Sequence, residues 1–581
     1  MLKHLRTAIF GMVGVLVAGP ALAQNGPSAG LSQLAPVSPL VSCGSLATLD
    51  LSAAVGSPTT QVASEVAGDK AYCSVTGTIA RDIHFEVRLP LTGWTQRFLQ
   101  TGCGGLCGNV QIHTDNADGC TPVTEGSIVL ASDDMGHHGV GGGWGVNADQ
   151  RIDFAYRGNH VTALAAKALI KAFYGQPPRY AYFSGCSDGG REALIEAQRY
   201  PGDFDGIAAG APALNFTVQN SFHHGWLAKV NTGADGNAIL TAIDIQPLHT
   251  AVLAACDGLD GLIDGQITDP RGCHFEPATL ACKGEYRPGV CLTQTQVTAA
   301  RAIYGGARSS TGKRLEVGPL QPGSEAEWVG VFVPREKTGH IGSEGMALDT
   351  INNLLFMPNR TYSIASFPFT EETLANEEAA RELYNADNPD LGAFADHGGK
   401  LILYHGWADP HISPLNTIDY YERVGRKMGA GARDGFLRMF LLPGMGHCGG
   451  GEGPSEFPLV AGLMAWVEGG SAPATMIAHR KAPPPSATAG LPASMGGAPI
   501  GPVPGSARDT AAHDGPPPEV LAEMRAHDLE LAKRGPRSRP VFAYPKIARY
   551  IGSGPVNEAG SFVALIAAPV DGISDWAGAR P

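Results

Sequence analysis

In Gly185-Cys186-Ser187-Asp188-Gly189-Gly190 a serine occupies the G-x-S-x-G pattern directly after the apolar run 180–183. The pattern marks a nucleophile elbow, where a strand turns sharply into a helix and exposes its serine hydroxyl. A serine hydroxyl is a weak nucleophile at neutral pH, so it needs a base within reach and an acid that orients the base. Two later segments supply candidates. Asp409 closes His405-Gly406-Trp407-Ala408-Asp409, and His447 stands in Gly444-Met445-Gly446-His447-Cys448. Ser187, Asp409, His447 is the chain order of nucleophile, acid and base in an α/β-hydrolase. His405 and Asp419 are alternatives to Asp409, which before Pro410 also suits a plain turn. Cys186 and Cys448 adjoin nucleophile and base, so one disulfide could tie the two together.

Acyl transfer also needs backbone N–H groups for the developing oxyanion. One comes from the residue after the nucleophile, here Asp188. The other is expected in Gly102-Cys103-Gly104-Gly105-Leu106-Cys107-Gly108, with Gly104 the first choice and Gly105 the second. No Lys-Ser/Thr follows this loop, so a phosphate cradle is not indicated. Farther on, the stretch from Cys256 to Gln266 alternates carboxylates with glycines. Asp257, Asp260 and Asp264, with the carbonyls of Leu262 and Gln266, could give a calcium ion the hard oxygens it takes. The spacing is not that of an EF-hand, and the competing reading is an Asp/Gly-rich surface turn. Cys256 and Cys273 could close this loop.

The elements that must position these residues read as α/β. Runs 97–100, 127–131, 180–183, 205–209, 401–404 and 436–442 are short, apolar and end in turn residues, as buried parallel strands do. Helical spacing over 160–173 and 191–200 fills the gaps. Alternating strands and helices predict an α/β-hydrolase core, a doubly wound and mostly parallel sheet. Its first part is expected over 24–211 and its second over 399–581. Residues 212–398 break the rhythm and read as a large inserted lid domain containing the calcium loop. Residues 483–518, rich in Pro, Ala and Gly, read as an insertion without a fold of its own.

The basic start, apolar stretch and Ala21-Leu22-Ala23 of residues 1–23 match a cleavable secretory signal, which predicts an exported, periplasmic or secreted protein without a stable membrane anchor. Eleven cysteines in such a chain read as disulfides, with one left over. A net charge of −13 argues against nucleic acid as a partner.

The Cys-Ser and His-Cys pairs, the segment from Gly185 to Leu194, Tyr200-Pro201-Gly202-Asp203-Phe204-Asp205-Gly206-Ile207 and His405-Gly406-Trp407-Ala408-Asp409-Pro410 together resemble the tannase and feruloyl esterase family, which includes mono(2-hydroxyethyl) terephthalate hydrolase. The resemblance runs from about residue 43 to 562. It implies a serine esterase with the triad Ser187, Asp409, His447, oxyanion donors at Asp188 and the Gly104-Gly105 turn, and structural Ca2+ at Asp257, Asp260, Leu262, Asp264 and Gln266. It implies disulfides Cys186–Cys448, Cys256–Cys273 and Cys282–Cys291, and leaves the partner of Cys43 open among Cys73, Cys103, Cys107 and Cys120.

Two features bear on the substrate, a small aromatic ester. Asp188 stands where many members have Thr, and a carboxylate there is expected to disfavour anionic acyl groups. Asn353, Phe356, Arg360, Phe367 and Phe369 suit an aromatic acyl group. The expected activity is hydrolysis of feruloyl, galloyl or related phenolic esters. The alternatives are a terephthalate half-ester hydrolase, a serine peptidase, and a non-catalytic calcium-dependent binding protein.

Overall fold

The computed structural model describes residues 30–114, 117, 119–480, 535–567, 569 and 572–580. The signal segment 1–23 and the insertion 483–518 lie outside these residues. The core is a sheet of nine strands: β1 (Thr59–Val66), β2 (Tyr72–Ile79), β3 (Ile83–Pro90), β4 (Arg97–Thr101), β5 (Val129–Asp133), β6 (Tyr180–Cys186), β7 (Gly206–Gly210), β8 (Lys400–Gly406) and β9 (Leu437–Leu442). Their spatial order is β1-β2-β3-β5-β4-β6-β7-β8-β9. The strands from β5 to β9 run parallel, whereas β1, β2 and β3 join antiparallel at one side. This is an α/β-hydrolase-like fold.

The parallel strands are mostly apolar because both faces are covered. Tyr182, Ala208, Ile402 and Tyr404 pack with Leu463 and Trp466 of the helix Leu459–Gly469. Their neighbours Phe183, Ile207, Ala209, Leu401 and Leu403 join the opposite cluster with Leu169 and Phe173 of the helix Gly158–Tyr174. The two-residue period of a strand thus feeds two layers of core.

All regular structure in residues 212–398, which enter between β7 and β8, is helical. Capping boxes at Thr241/Asp244 and Thr293/Gln296 start the helices Ala242–Cys256 and Gln294–Gly305. Phe367 and Phe369 sit in the interior of this insertion, each edge-on to Phe222, with Trp226 beside Phe369. Phe356 is also buried, under the exposed Arg360, and the Asn353 amide donates to Asp349 at 3.0 Å. The phenylalanines therefore build the insertion's core.

One buried contact ties the insertion to the loop carrying His447. His249 Nδ1 lies 2.7 Å from Glu325 and Nε2 2.7 Å from Glu452. Burial alone would push this imidazole down, but the two carboxylates outweigh it and raise it from 6.5 to about 10. A group held above its unfolded value stabilises the fold fully below about pH 6.5, and that stabilisation is lost as pH rises towards 10. Thermal melts from pH 7 to 10 should therefore show a falling Tm, and His249→Gln should flatten that slope. An unchanged slope in the variant would assign the pH dependence to other groups.

Candidate active site

Strand β6 ends at Cys186, and Ser187 adopts φ 64° and ψ −119° before the helix Asp188–Arg199 begins. A non-glycine residue rarely holds a positive φ, and surrounding structure must enforce it. Here the Ser187 N–H donates to Gly210 O at 3.0 Å, and the Arg191 N–H donates to Ser187 O at 3.1 Å. The flanking glycines are obligatory for steric reasons. A Cβ on Gly185 would lie 2.3 Å from Gly189 O, and one on Gly190 would lie 2.3 Å from Gly210 O.

Asp409 follows β8 and is fully buried; His447 follows β9 and is part-exposed. His447 Nδ1 lies 2.7 Å from Asp409 Oδ2. Asp409 Oδ1 accepts from the backbone N–H groups of His411 (2.8 Å) and Ile412 (3.0 Å). His405 does not replace Asp409 but serves it. Its Nε2 lies 3.1 Å from Asp409 Oδ2 and 2.9 Å from the Ile412 carbonyl. Both are acceptors, so Nε2 carries the proton and Nδ1 accepts from the Thr417 hydroxyl at 2.7 Å. Burial would raise the Asp409 carboxyl, but the charge of His447 and the bonds from His405 and His447 hold it well below the usual carboxylate range. An ionised Asp409 keeps the proton of His447 on Nδ1 and leaves Nε2 to accept one. Asp419, the other alternative, is bonded to Ser574.

The loops of Ser187 and His447 are joined by the Cys186–Cys448 disulfide, with Cα atoms 5.9 Å apart. The His447 ring packs on His411, centroids 4.8 Å apart. Burial and the nearby His447 charge push His411 down to about 3, so this ring stays neutral beside His447.

The glycine loop after β4 docks on the elbow, where the Gly189 N–H donates to Cys103 O at 2.8 Å. The N–H groups of Asp188 and Gly104 donate to no acceptor among the described residues. Gly104 is half-buried, whereas Gly105 is exposed with φ 62°. The Asp188 side chain turns inward and is not an open charge beside the nucleophile. Arg191 grips it from both sides, Nε to Oδ1 at 2.7 Å and Nη2 to Oδ2 at 2.9 Å. The carboxylate is thus paired with a guanidinium inside the protein.

The other disulfides are Cys43–Cys73, Cys103–Cys107, Cys256–Cys273 and Cys282–Cys291; Cys120 is free and buried.

In the acidic loop, Asp257 accepts from the Gly265 and Gln266 N–H groups, and Asp260 from the Leu262 N–H and the Thr268 hydroxyl. Asp264 Oδ2 pairs with Arg539, while its Oδ1 is buried without a partner. Burial, with the charges of Asp264 and Asp257 close by, pushes the Asp260 carboxyl up. The carbonyls of Leu262 and Gln266 accept no hydrogen bond among the described residues. One orphaned carboxylate oxygen and two free carbonyls are hard oxygens of the kind calcium takes, but Asp257, Asp260 and Asp264 do not bring their ligand atoms within 4.8 Å of one another, and Arg537 and Arg539 both sit on Asp264.

The position of His405, the shielding of Asp188 and the Cys103–Cys107 bond were not legible in the sequence. Arg191, three residues after Asp188 on one helix face, is the signal that could have shown the pairing.

The family model described as Tannase and feruloyl esterase matches residues 64–565. The chain is 29% identical over 557 residues to a Mono(2-hydroxyethyl) terephthalate hydrolase of Piscinibacter sakaiensis, covering 84% of each protein. It is 34% identical over 435 residues to a protein of Emericella nidulans named Probable feruloyl esterase B, covering 69% of this chain and 77% of the relative. Its structure resembles that of feruloyl esterase B from Aspergillus oryzae with a TM-score of 0.68 at 25% identity, over 87% of this chain and 96% of that one.

Proposed function

The chain belongs to the tannase and feruloyl esterase family of carboxylic ester hydrolases, and we propose that it cleaves esters of aromatic acids, such as feruloyl or galloyl esters, through an acyl-enzyme on Ser187. The observation that carries this reading is the 2.7 Å contact between Asp409 and His447, on a loop crosslinked to the nucleophile elbow. Ser187 Oγ adds to the ester carbonyl as His447 Nε2 takes its proton. The resulting oxyanion accepts hydrogen bonds from the Asp188 and Gly104 amides, where each donor is worth roughly 3 kcal/mol. Collapse breaks the bond to the alcohol, which leaves with the proton from His447. Water then adds to the acyl carbon as His447 takes its proton, the acyl–Ser187 bond breaks, His447 returns the proton to Ser187 Oγ, and the aromatic acid is released.

A second substrate reading has its own support. Arg191 neutralises Asp188, so a half-ester bearing a free carboxylate meets no opposing charge at the elbow, and a terephthalate half-ester is the alternative substrate. Purified protein assayed on methyl ferulate, methyl gallate, mono(2-hydroxyethyl) terephthalate and a peptide p-nitroanilide should cleave at least one ester and leave the anilide intact. Preference for the anilide would overturn the ester reading in favour of a peptidase. No turnover of any of the four would favour a binding protein.

The insertion 212–398 acts as a lid over the site. Five disulfides require an oxidising compartment, which supports export. Asp257, Asp260 and Asp264, with the carbonyls of Leu262 and Gln266, hold a structural calcium ion. When bound, calcium crosslinks the loop and takes no part in ester cleavage, since serine, histidine and amides supply every proton and hydrogen bond required. At a hundredfold excess over its dissociation constant a ligand of the folded state stabilises by about 2.7 kcal/mol. Chelation should therefore lower Tm while activity at low temperature persists, and Asp257→Asn with Asp264→Asn should abolish the response. Dialysed protein free of calcium, with a melting curve indifferent to chelator, would return the loop to a simple turn.

A further inference from the structure

The Cys103–Cys107 disulfide encloses Gly104, Gly105 and Leu106, the tip of the loop that docks on the nucleophile elbow. We propose that this crosslink is a positioning element for the transition state, holding the Gly104 amide beside that of Asp188; the inference rests on the serine-esterase reading above.

The loop is fixed at its base and open at its tip. Gly102 N–H donates to Ser184 O at 3.1 Å, Cys103 O accepts from Gly189 N–H at 2.8 Å, and Gly108 N–H donates to Asp134 O at 3.2 Å. Between these anchors the backbone makes one internal hydrogen bond, from Cys107 N–H to Gly104 O at 3.0 Å. Two glycines in succession have the widest conformational freedom of any dipeptide, so the amide that must meet the oxyanion lies where the backbone constrains itself least. The covalent bridge supplies the missing constraint. Preorganised donors act because they pay no reorganisation at the moment of reaction.

The bridge rests on a buried carboxyl. Both sulfurs lie within 3.3 Å of Glu192 Oε1, and Glu192 Oε2 accepts from Asn159 Nδ2 at 2.8 Å and from Cys103 N–H at 3.3 Å. Glu192 stands one turn along the helix that Ser187 opens, so it links the bridge to the nucleophile's own helix. Serine at both cysteines keeps a hydroxyl against Glu192 and removes only the covalent link.

The test is the Cys103→Ser/Cys107→Ser double variant, with Cys282→Ser/Cys291→Ser as the control for losing a disulfide elsewhere. The double variant should lose tenfold or more in kcat with KM within twofold. Its affinity for an arylboronic acid, which forms a tetrahedral adduct on serine, should fall in parallel, while its affinity for the aromatic acid product stays unchanged. The control should match wild type in all three. A double variant with kcat and boronate affinity within twofold of wild type would overturn the inference, as would equal losses of boronate and product-acid binding, which mark a general distortion. Failure of the boronate to bind wild-type protein would instead sink the Ser187 reading, and this inference with it. Should the variant fail to fold, wild-type protein can be titrated with a dithiol. The dithiol gives two electrons and two protons to the S–S bond, leaving two thiols and its own disulfide. Mass mapping then follows which bridge opens. Activity should fall as Cys103–Cys107 opens, and full activity with that bridge open would overturn the proposal.

Discussion

Ser187→Ala and His447→Ala should each lower kcat by about 10⁴-fold or more, because nucleophile and base act as a unit and removing either leaves only binding and oxyanion stabilisation. Asp409→Asn should cost somewhat less. All four groups bonded to Asp409 are donors: His447 Nδ1, His405 Nε2 and the N–H groups of His411 and Ile412. Whichever way an asparagine amide turns, its NH2 opposes two of them. The histidine then loses its orientation or takes the wrong tautomer. Steady-state kinetics on the best ester of the panel, with a melting curve for each variant, checks this. Wild-type activity in Asp409→Asn would move the acid's role to another residue.

Breaking the Cys186–Cys448 bond is expected to have the next largest effect. The crosslink spans 262 residues, and in the chain-entropy view such a bridge stabilises by on the order of 5 kcal/mol. It also joins the residues adjacent to nucleophile and base, whose separation must be held to a fraction of an ångström for proton transfer. Cys186→Ser/Cys448→Ser should therefore melt well below wild type, and at temperatures where it remains folded its kcat should still be reduced. A variant with lowered Tm and unchanged kcat would make the bridge purely structural. Free thiol at Cys186 or Cys448 in unreduced peptides would remove the bridge altogether.

How much of this was legible in the sequence depended on how each signal is encoded. Buried parallel strands announce themselves as apolar runs, and the runs 97–100, 180–183 and 401–404 each fall inside a strand of the sheet. The strands β1 and β2 gave no such signal. β1 is half-buried or exposed at every position, and β2 alternates Ser74, Thr76 and Thr78 with apolar residues on the opposite face. The elbow was readable because its glycines are forced by backbone contacts, and a steric requirement leaves a mark on sequence. Side-chain pairing leaves no comparable mark. Asp188 could be seen as a carboxylate beside the nucleophile, but only the fold turns it inward onto Arg191. His405 could be seen as a rival to Asp409, but only the Ile412 carbonyl and the Thr417 hydroxyl reveal which nitrogen bears its proton. Aromatic residues in the insertion were the least legible. Phe367 and Phe369 suit an aromatic acyl group by composition, and only the fold shows that they are buried inside the insertion.

A Ser187 acyl-enzyme is an intermediate that can be trapped. Acid quenching during turnover of a feruloyl ester, followed by mass analysis of peptides, tests this directly. The peptide containing Ser187 should gain the mass of one feruloyl group, and the adduct should be absent from Ser187→Ala. An enzyme that turns over the ester with that peptide unlabelled, or with the acyl group on another residue, would contradict the mechanism proposed here.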